Sequence, residues 1–119
     1  MKSLRFAEGM ARSVIEGTKK ITLRKYRFDM HSLAANEIFI GSFADGFDFL
    51  LQATSATETK PFSELTDEEA QEDGYTDVED ALEDLKEFFY PELQPTDTLA
   101  IIRFEVLHLN SVPIIKFND

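Results

Sequence analysis

The sequence predicts an α+β fold, a curled and mostly β sheet or mixed barrel with peripheral helices, formed by a single domain over residues 1–119. Three observations support this prediction. Segments with alternating apolar residues, typical of half-buried strands, occur towards both ends of the chain, and two helices with legible N-terminal caps lie between them. The 119 residues are 43% hydrophobic, enough to fill one core of ordinary size.

The first third of the chain predicts a short strand, a helix and a second strand. Within residues 3–16 apolar side chains recur near the helical period, and Gly17 is a natural C-terminal stop. Residues 19–28 (KKITLRKYRF) then change to a period of two, which is typical of a half-buried strand. The polar residues 29–36 predict a loop.

A β-hairpin is predicted next. Residues 37–43 and 47–57 are both rich in β-forming side chains, and Asp45-Gly46 between them supplies the positive φ that a tight turn needs.

Two helices follow, each preceded by a capping-box pattern. Thr66 with Glu69 predicts the start of the first helix, and Thr76 with Glu79 predicts the start of the second. The second helix carries one apolar stripe. Its predicted members are Val78, Ala81, Leu82, Leu85, Phe88 and Phe89.

The last quarter returns to strands. Residues 98–109 (TLAIIRFEVLHL) give the strongest strand pattern of the chain and predict a central strand, and residues 112–117 predict a short final strand.

Composition excludes several classes of function. The chain has no cysteine, so thiolate catalysis and cysteine-based metal sites are excluded. The net charge of −11 argues against coating duplex DNA. Residues 1–27 nevertheless hold eight Lys or Arg and only two acids. This asymmetry fits either two solvated faces or a basic strand region that meets a small anionic or polar ligand.

Other features narrow the cellular setting. The first residues lack the apolar run of a signal peptide, and no apolar segment has the length of a membrane span, so we expect a cytoplasmic protein that does not contact membranes. His31 and His108 lack neighbours at metal-ligand spacing, and the acidic run 67–73 does not match a calcium loop. No metal or other cofactor is predicted.

One segment carries a family resemblance. Residues 17–24 (GTKKITLR) resemble the G-x-K-x-x-T-x-R signature of the ASCH domain family, in the PUA-like superfamily. The resemblance continues in residues 62–70, 73–75, 90–91 and 101–106, so that it spans about residues 4–107. It implies a PUA-like barrel with a cleft between the signature strand and the helices, and a role in RNA or nucleotide chemistry.

The resemblance also implies a reaction. One branch of short bacterial family members consists of amidohydrolases that act on N4-acetylcytidine through a Lys, a Thr and a Glu. These residues map to Lys19, Thr22 and Asp73, the last being one methylene shorter than Glu. Thr22 would be the nucleophile, Lys19 the base that activates it, and Asp73 the group that orients the base or protonates the leaving amine.

Three further residues are candidates for substrate binding. Arg24 and Lys20 are placed to hold an oxyanion or a ribose or phosphate oxygen. Tyr75, with Phe28 and Phe43, is a candidate to stack on a pyrimidine.

Strand geometry sets a condition on this site. Residues three apart on a regular strand point to opposite faces, so Lys19 and Thr22 converge only if Lys19 lies in the turn after Gly17. Lys20 shares a face with Thr22 and is the alternative base. Both lysines also fit a simple role as solvated charges at a strand edge.

Two hypotheses for function therefore stand beside each other. The first is an amidohydrolase acting on N4-acetylcytidine or a similar acylated nucleoside, expected to be a monomer. The second is a non-catalytic module of the PUA-like type that binds a nucleotide or short single-stranded RNA. A protein-interaction module that uses the acidic helix ranks third.

Overall fold

A computed structural model describes residues 1–110 and 112–117 of the chain. The strands are β1 (Ser3–Phe6), β2 (Ile21–Lys25), β3 (Ile38–Phe43), β4 (Phe47–Ala53), β5 (Glu58–Pro61), β6 (Thr98–Val106), β7 (His108–Leu109), β8 (Val112–Pro113) and β9 (Ile115–Phe117). The helices are α1 (Met10–Ile15), α2 (Phe28–His31), α3 (Asp67–Glu72) and α4 (Val78–Phe88), with a 3₁₀ turn at Phe62–Glu64.

The main sheet has seven strands and is built around β6. Its order is β1-β3-β4-β6-β2, with β5 added on β6 and β9 added on β4. β1 runs parallel to β3, and the other pairs of the sheet are antiparallel. Because β2 and β5 both pair with residues 99–101, they lie on opposite edges of β6. The predicted class is confirmed: an α+β fold with a curled sheet, helices around it, and β6 as a central strand.

The two faces of β6 contribute to two hydrophobic clusters. Ile102, Phe104 and Val106 pack with the phenylalanines of β1, β3 and β4 and with α1. Leu99 and Ile101 instead pack with Leu23 and with the helices α3 and α4. The sheet is therefore covered by apolar side chains on both faces, with α3 and α4 on one side of β6 and β2.

Helix α3 begins where its sequence predicts. The Thr66 side chain accepts a hydrogen bond from Glu69 N–H, and the Glu69 carboxylate accepts one from Thr66 N–H, so the capping box is complete. The helix ends at Asp73, its C-terminal cap, and Gly74 follows with φ of +92°. A left-handed residue here turns the chain sharply into the segment before α4.

Four details of the prediction are wrong. Residues 28–31 form α2 instead of a loop, and the strand predicted over 47–57 ends at Ala53. The N-cap of α4 is Asp77, whose side chain accepts from Asp80 N–H, so Thr76 is not the cap. Phe88 and Phe89 are 66% and 52% exposed because the buried stripe of α4 is confined to its first two turns.

No helix in the described part of the chain is long and apolar enough to cross a bilayer.

Candidate functional site

The turn after α1 determines where Lys19 lies. Gly17 has φ of +77°, a conformation that glycine adopts without strain, and it reverses the chain after the helix. The N–H groups of Thr18 and Lys19 both donate to Ser13 O, at 3.0 Å each. Lys19 therefore belongs to this turn and not to β2, which begins at Ile21. The condition set by strand geometry is met.

Lys19 forms an ion pair with Asp73 across 54 positions of sequence. The Lys19 Nζ donates to Asp73 Oδ1, and the two side chains are only 14% and 6% exposed. Asp73 also accepts a hydrogen bond from the Leu23 backbone N–H. The C-terminus of α3 thus delivers a carboxylate to the edge of β2, next to the turn that carries Lys19.

Thr22 and Arg24 extend from the same face of β2. Thr22 is 5% exposed, and its Oγ1 accepts a hydrogen bond of 2.9 Å from Arg24 Nε. A second nitrogen of Arg24 donates to Arg5 O at 2.6 Å. The guanidinium lies 5.0 Å from the centre of the Phe6 ring, in cation–π contact. Contacts from two neighbouring segments therefore fix Arg24, and Arg24 in turn fixes the Thr22 hydroxyl.

These four side chains line one cavity of about 340 Å³, at the lower end of the range, roughly 300–1,000 Å³, that is usual for small-molecule sites. The cavity lies where β1, β2 and α1 face the end of α3 and the helix α4. Its wall consists of Arg5, Phe6, Ala7, Met10, Lys19, Thr22, Leu23, Arg24, Asp73, Tyr75, Asp84, Leu85, Phe89 and Tyr90. Polar groups capable of proton transfer thus meet apolar groups capable of holding a ring.

Burial changes the acid–base behaviour of this wall. Desolvation raises the pKa of the Asp73 carboxyl above its usual range, and the Lys19 ammonium opposes that shift. Desolvation also lowers the pKa of the Arg24 guanidinium, an effect that Tyr90 and Asp73 oppose. Both shifts have the same origin, which is that the cavity keeps water away from charged groups.

Tyr75 and Asp84 form a further polar pair in the cavity. The Tyr75 hydroxyl donates to Asp84 Oδ2 at 2.6 Å. Desolvation and this hydrogen bond raise the pKa of the Tyr75 phenol above its usual range, so the hydroxyl remains a donor.

Lys20 lies elsewhere. Its side chain is exposed and lines a second cavity of about 520 Å³, on the other side of the turn. The structure does not place Lys20 in the cavity of Thr22 and Arg24, although its carbonyl accepts from Phe104 N–H at 2.9 Å and so continues the register of β2 on β6. The wall of this second cavity consists of Val14, Ile15, Glu16, Gly17, Lys19, Lys20, Glu105, Val106, Leu107 and His108.

The candidate stacking residues are separated in the same way. Phe43 is 2% exposed and belongs to the core, and Phe28 is 78% exposed and does not line the cavity. Tyr75 lines it. The sequence reasoning missed Phe89, Asp84 and Arg5 as wall residues. Phe89 was predicted as a member of the apolar stripe of α4, and the sequence patterns around Arg5 and Asp84 contain no signal for the cavity.

A metal centre finds no support in the described residues, because within 1–110 and 112–117 no group of three His, Asp or Glu side chains is arranged to hold an ion.

Comparison with solved structures places the fold among known ones. Protein EF3133 from Enterococcus faecalis V583, described by the family model DUF984, superposes with a TM-score of 0.72 at 18% identity, covering 90% of this chain and 76% of that one. The hypothetical protein PH0355 gives 0.68 at 19% identity, covering 96% and 100%. Protein PF0455 from Pyrococcus furiosus gives 0.54 at 20% identity, covering 89% and 100%. The chain shares the fold of these proteins.

Sequence comparison adds no family to that result. No family model matches this chain. No curated protein matches it either. At 18–20% identity the likeness concerns the fold alone.

Proposed function

We propose that this protein is an amidohydrolase that removes the acyl group from N4-acetylcytidine or a similar acylated nucleoside. The observation that carries the proposal is the meeting of Lys19, Thr22 and Asp73 in one cavity, to which a turn and strand near residue 20 and a helix end at residue 73 contribute. We also propose that the chain belongs to the ASCH domain family of the PUA-like superfamily; the signature in residues 17–24 and the curled sheet support this.

The nucleophile is the Thr22 hydroxyl. A hydroxyl attacks an amide only when a base takes its proton and a donor stabilises the negative charge that develops on the amide oxygen. Arg24 Nε donates to Thr22 Oγ1 at 2.9 Å, so it orients the hydroxyl and stabilises its oxygen as the proton leaves. Arg24 is accordingly a positioning and stabilising group for the nucleophile.

The base is Lys19, controlled by Asp73. The Lys19 Nζ donates to Asp73 Oδ1, and an ammonium group in such a pair cannot accept a further proton. A bound nucleoside expels the remaining water, which penalises two opposite charges and favours the neutral pair, with the proton on Asp73. The raised pKa of the Asp73 carboxyl points in the same direction. The neutral amine of Lys19 then accepts the Thr22 proton.

The bonds exchange in two steps. Thr22 Oγ1 forms a bond to the acyl carbon while its proton passes to Lys19, and the C–N4 bond breaks as a proton from Lys19 reaches N4. Cytidine leaves and the acyl group remains as an ester on Thr22. A water molecule then attacks the ester, gives its proton to Lys19, and releases the carboxylic acid with the Thr22 hydroxyl restored.

The cellular setting completes the proposal. We propose that the protein acts in the cytoplasm as a monomer, without metal or other cofactor, on a neutral small molecule that suits its net charge of −11.

The test is direct hydrolysis of N4-acetylcytidine, followed by chromatographic detection of cytidine. We expect Thr22→Ala to lose activity by at least about 10³-fold, because the nucleophile is absent, and Thr22→Ser to retain part of it. Lys20→Ala is the matched control, since this exposed lysine lies outside the cavity and its loss leaves activity within about twofold. Wild-type protein that releases no cytidine, or Thr22→Ala with full activity, would refute the proposal.

A non-catalytic module that binds a nucleotide or short single-stranded RNA is the second candidate. Two residues of the cavity wall favour it, the exposed cation Arg5 and the half-exposed aromatic ring of Phe89. This function requires binding of short RNA that weakens with salt and is abolished when Lys20, Arg24 and Lys25 are changed to acids. Binding that ignores those charges would exclude it.

A further inference from the structure

The charges of the cavity wall are divided between its two sides. Arg5 and Arg24 come from the strands, Lys19 from the turn, and the carboxylates Asp73 and Asp84 come from the helices. Lys19 pairs with Asp73. No ion pair reaches Asp84 within residues 1–110 and 112–117, where its partner is the neutral hydroxyl of Tyr75. The helical side therefore presents one carboxylate that no cation compensates.

One hydrogen bond positions Asp84 and leaves other acceptor positions of its carboxylate available. Tyr75 donates to Oδ2, and a carboxylate has further acceptor positions on both oxygens. The residue is partly buried on α4, so a ligand that fills the cavity removes water from these positions. A ligand group placed there has to donate hydrogen bonds, because otherwise a charged acceptor stays unsatisfied.

The chemistry of that group follows from the charge. Vicinal hydroxyls donate to a carboxylate, as the ribose hydroxyls do to the acidic residue of dinucleotide-binding folds. A phosphate brings negative charge and no strong donors, so Asp84 repels it. The remaining wall, with Leu85, Phe89 and Tyr90, offers apolar surface for a ring.

We propose that Asp84, positioned by Tyr75, binds the ribose hydroxyls of the substrate and makes the cavity selective for a free nucleoside over a nucleotide or an RNA residue. The inference rests on the proposed function in taking a nucleoside as the ligand. It goes further in naming the side of the cavity that receives the sugar, and it separates the nucleoside enzyme from the RNA-binding module.

The test is calorimetric binding of cytidine, 2′,3′-dideoxycytidine and cytidine 5′-monophosphate to the full chain. None of these has an acyl amide, so binding is measured apart from hydrolysis. We expect cytidine to bind at least about tenfold more tightly than either of the others, since a site built to hydrogen-bond hydroxyls rejects a ligand that lacks them. Asp84→Asn should reduce the preference over 2′,3′-dideoxycytidine to within about threefold and improve binding of the monophosphate.

Two variants control this measurement. Glu83→Gln removes the same charge from the neighbouring position of α4, which is exposed and outside the cavity, and should leave all three affinities unchanged. Tyr75→Phe removes the hydrogen bond to Asp84. It should weaken the binding of cytidine and leave the affinity for the monophosphate unchanged. The asparagine can still accept from Tyr75, so Asp84→Asn should fold, as a circular dichroism melt can verify.

The outcomes separate the inference from the proposed function. Failure of wild-type protein to bind cytidine, or an unchanged ribose preference in Asp84→Asn, overturns the inference even where N4-acetylcytidine is hydrolysed. A ribose preference that depends on Asp84 in a protein with no hydrolytic activity supports the inference and refutes the hydrolase.

Discussion

Two adjacent lysines lie in opposite environments. The Lys19 side chain is 14% exposed and pairs with the buried Asp73 in the cavity that Thr22 also lines. The Lys20 side chain is exposed and lines the second cavity, where the carboxylates of Glu16 and Glu105 are exposed as well. The two residues have the same chemistry and consecutive numbers, so burial and partners alone distinguish them.

The difference shows what makes a charged group reactive. An exposed lysine keeps its water, and its interactions are screened. A lysine locked against a buried carboxylate can exchange its proton when a ligand removes the last water. The second cavity is the larger of the two, at about 520 Å³ against 340 Å³, yet lacks such a pair, so volume is the weaker guide to the site.

The largest expected contrast is between Lys19→Met and Lys20→Met. Lys19→Met leaves Asp73 charged and unpaired in a buried position, which should lower the free energy of unfolding by about 3 kcal/mol. It should also reduce hydrolysis by at least about 10²-fold, because the proposed base is lost. Lys20→Met should change stability by less than about 0.5 kcal/mol. Denaturant titration and the cytidine assay measure both, and equal effects of the two substitutions would contradict the comparison.

A double substitution separates stability from activity. Replacing a buried ion pair by apolar side chains is often neutral or stabilising. We therefore expect Lys19→Met/Asp73→Leu to regain about 2 kcal/mol relative to Lys19→Met while remaining inactive. A double variant no more stable than the single one would mean that the cost of Lys19→Met does not arise from the unpaired carboxylate.

The two histidines repeat the contrast at lower pH. His31 is 3% exposed, its Nδ1 accepts from Arg27 N–H, and its burial near Arg24 and Arg27 lowers its pKa to about 4. Between pH 6.5 and 4 the folded protein thus binds fewer protons here than the unfolded chain, and stability falls as the pH falls. His31→Gln should abolish roughly 2–3 kcal/mol of that loss.

His108 supplies the control for this measurement, because it is exposed at the second cavity. Unfolding free energies at pH 7 and pH 4 should have the same difference in wild-type protein and His108→Gln. The same difference in His31→Gln would show that protonation of His31 does not destabilise the fold.

The smallest contrast concerns the helix that delivers Asp73. Thr66→Ala removes a complete capping box from α3 and should cost about 1 kcal/mol. Thr76→Ala alters a threonine with the same sequence context that does not cap α4, and should cost less than about 0.5 kcal/mol. Thermal melts of the two variants give the comparison, and a larger loss for Thr76→Ala would reverse the assignment of the caps.

Much of the fold was predictable because local patterns decide it. The β3–β4 hairpin with its Asp45-Gly46 turn, the capping box of α3 and the long central β6 all follow from spacing and turn chemistry. The helix α2 could not be predicted in this way, since four residues are too few to show a periodicity. The break after Ala53 depends on pairing with β6, a tertiary contact that the continuous β-forming run hides.

The site was predictable in part. The family resemblance predicted Lys19, Thr22, Arg24 and Asp73 as site residues, and all four line one cavity. Gly17 indicated the turn in which Lys19 has to lie. Asp84 and Phe89 were missed because helical periodicity sorts side chains by polarity, whereas the cavity takes an acid and an aromatic ring from the margin of the stripe. Lys20 continues the register of β2 on β6, but its long side chain is exposed and lines the second cavity, an outcome that alternation along a strand cannot predict.

The hydrogen bond from Leu23 N–H to Asp73 has one more consequence. β2 is the terminal strand of the order β1-β3-β4-β6-β2. The N–H groups on its outer edge can therefore pair with a strand of another molecule. The Asp73 carboxylate accepts from the N–H group of Leu23, at the middle of this edge. The carboxylate proposed to control Lys19 therefore also blocks a further strand from pairing at this edge, a second role that has nothing to do with hydrolysis.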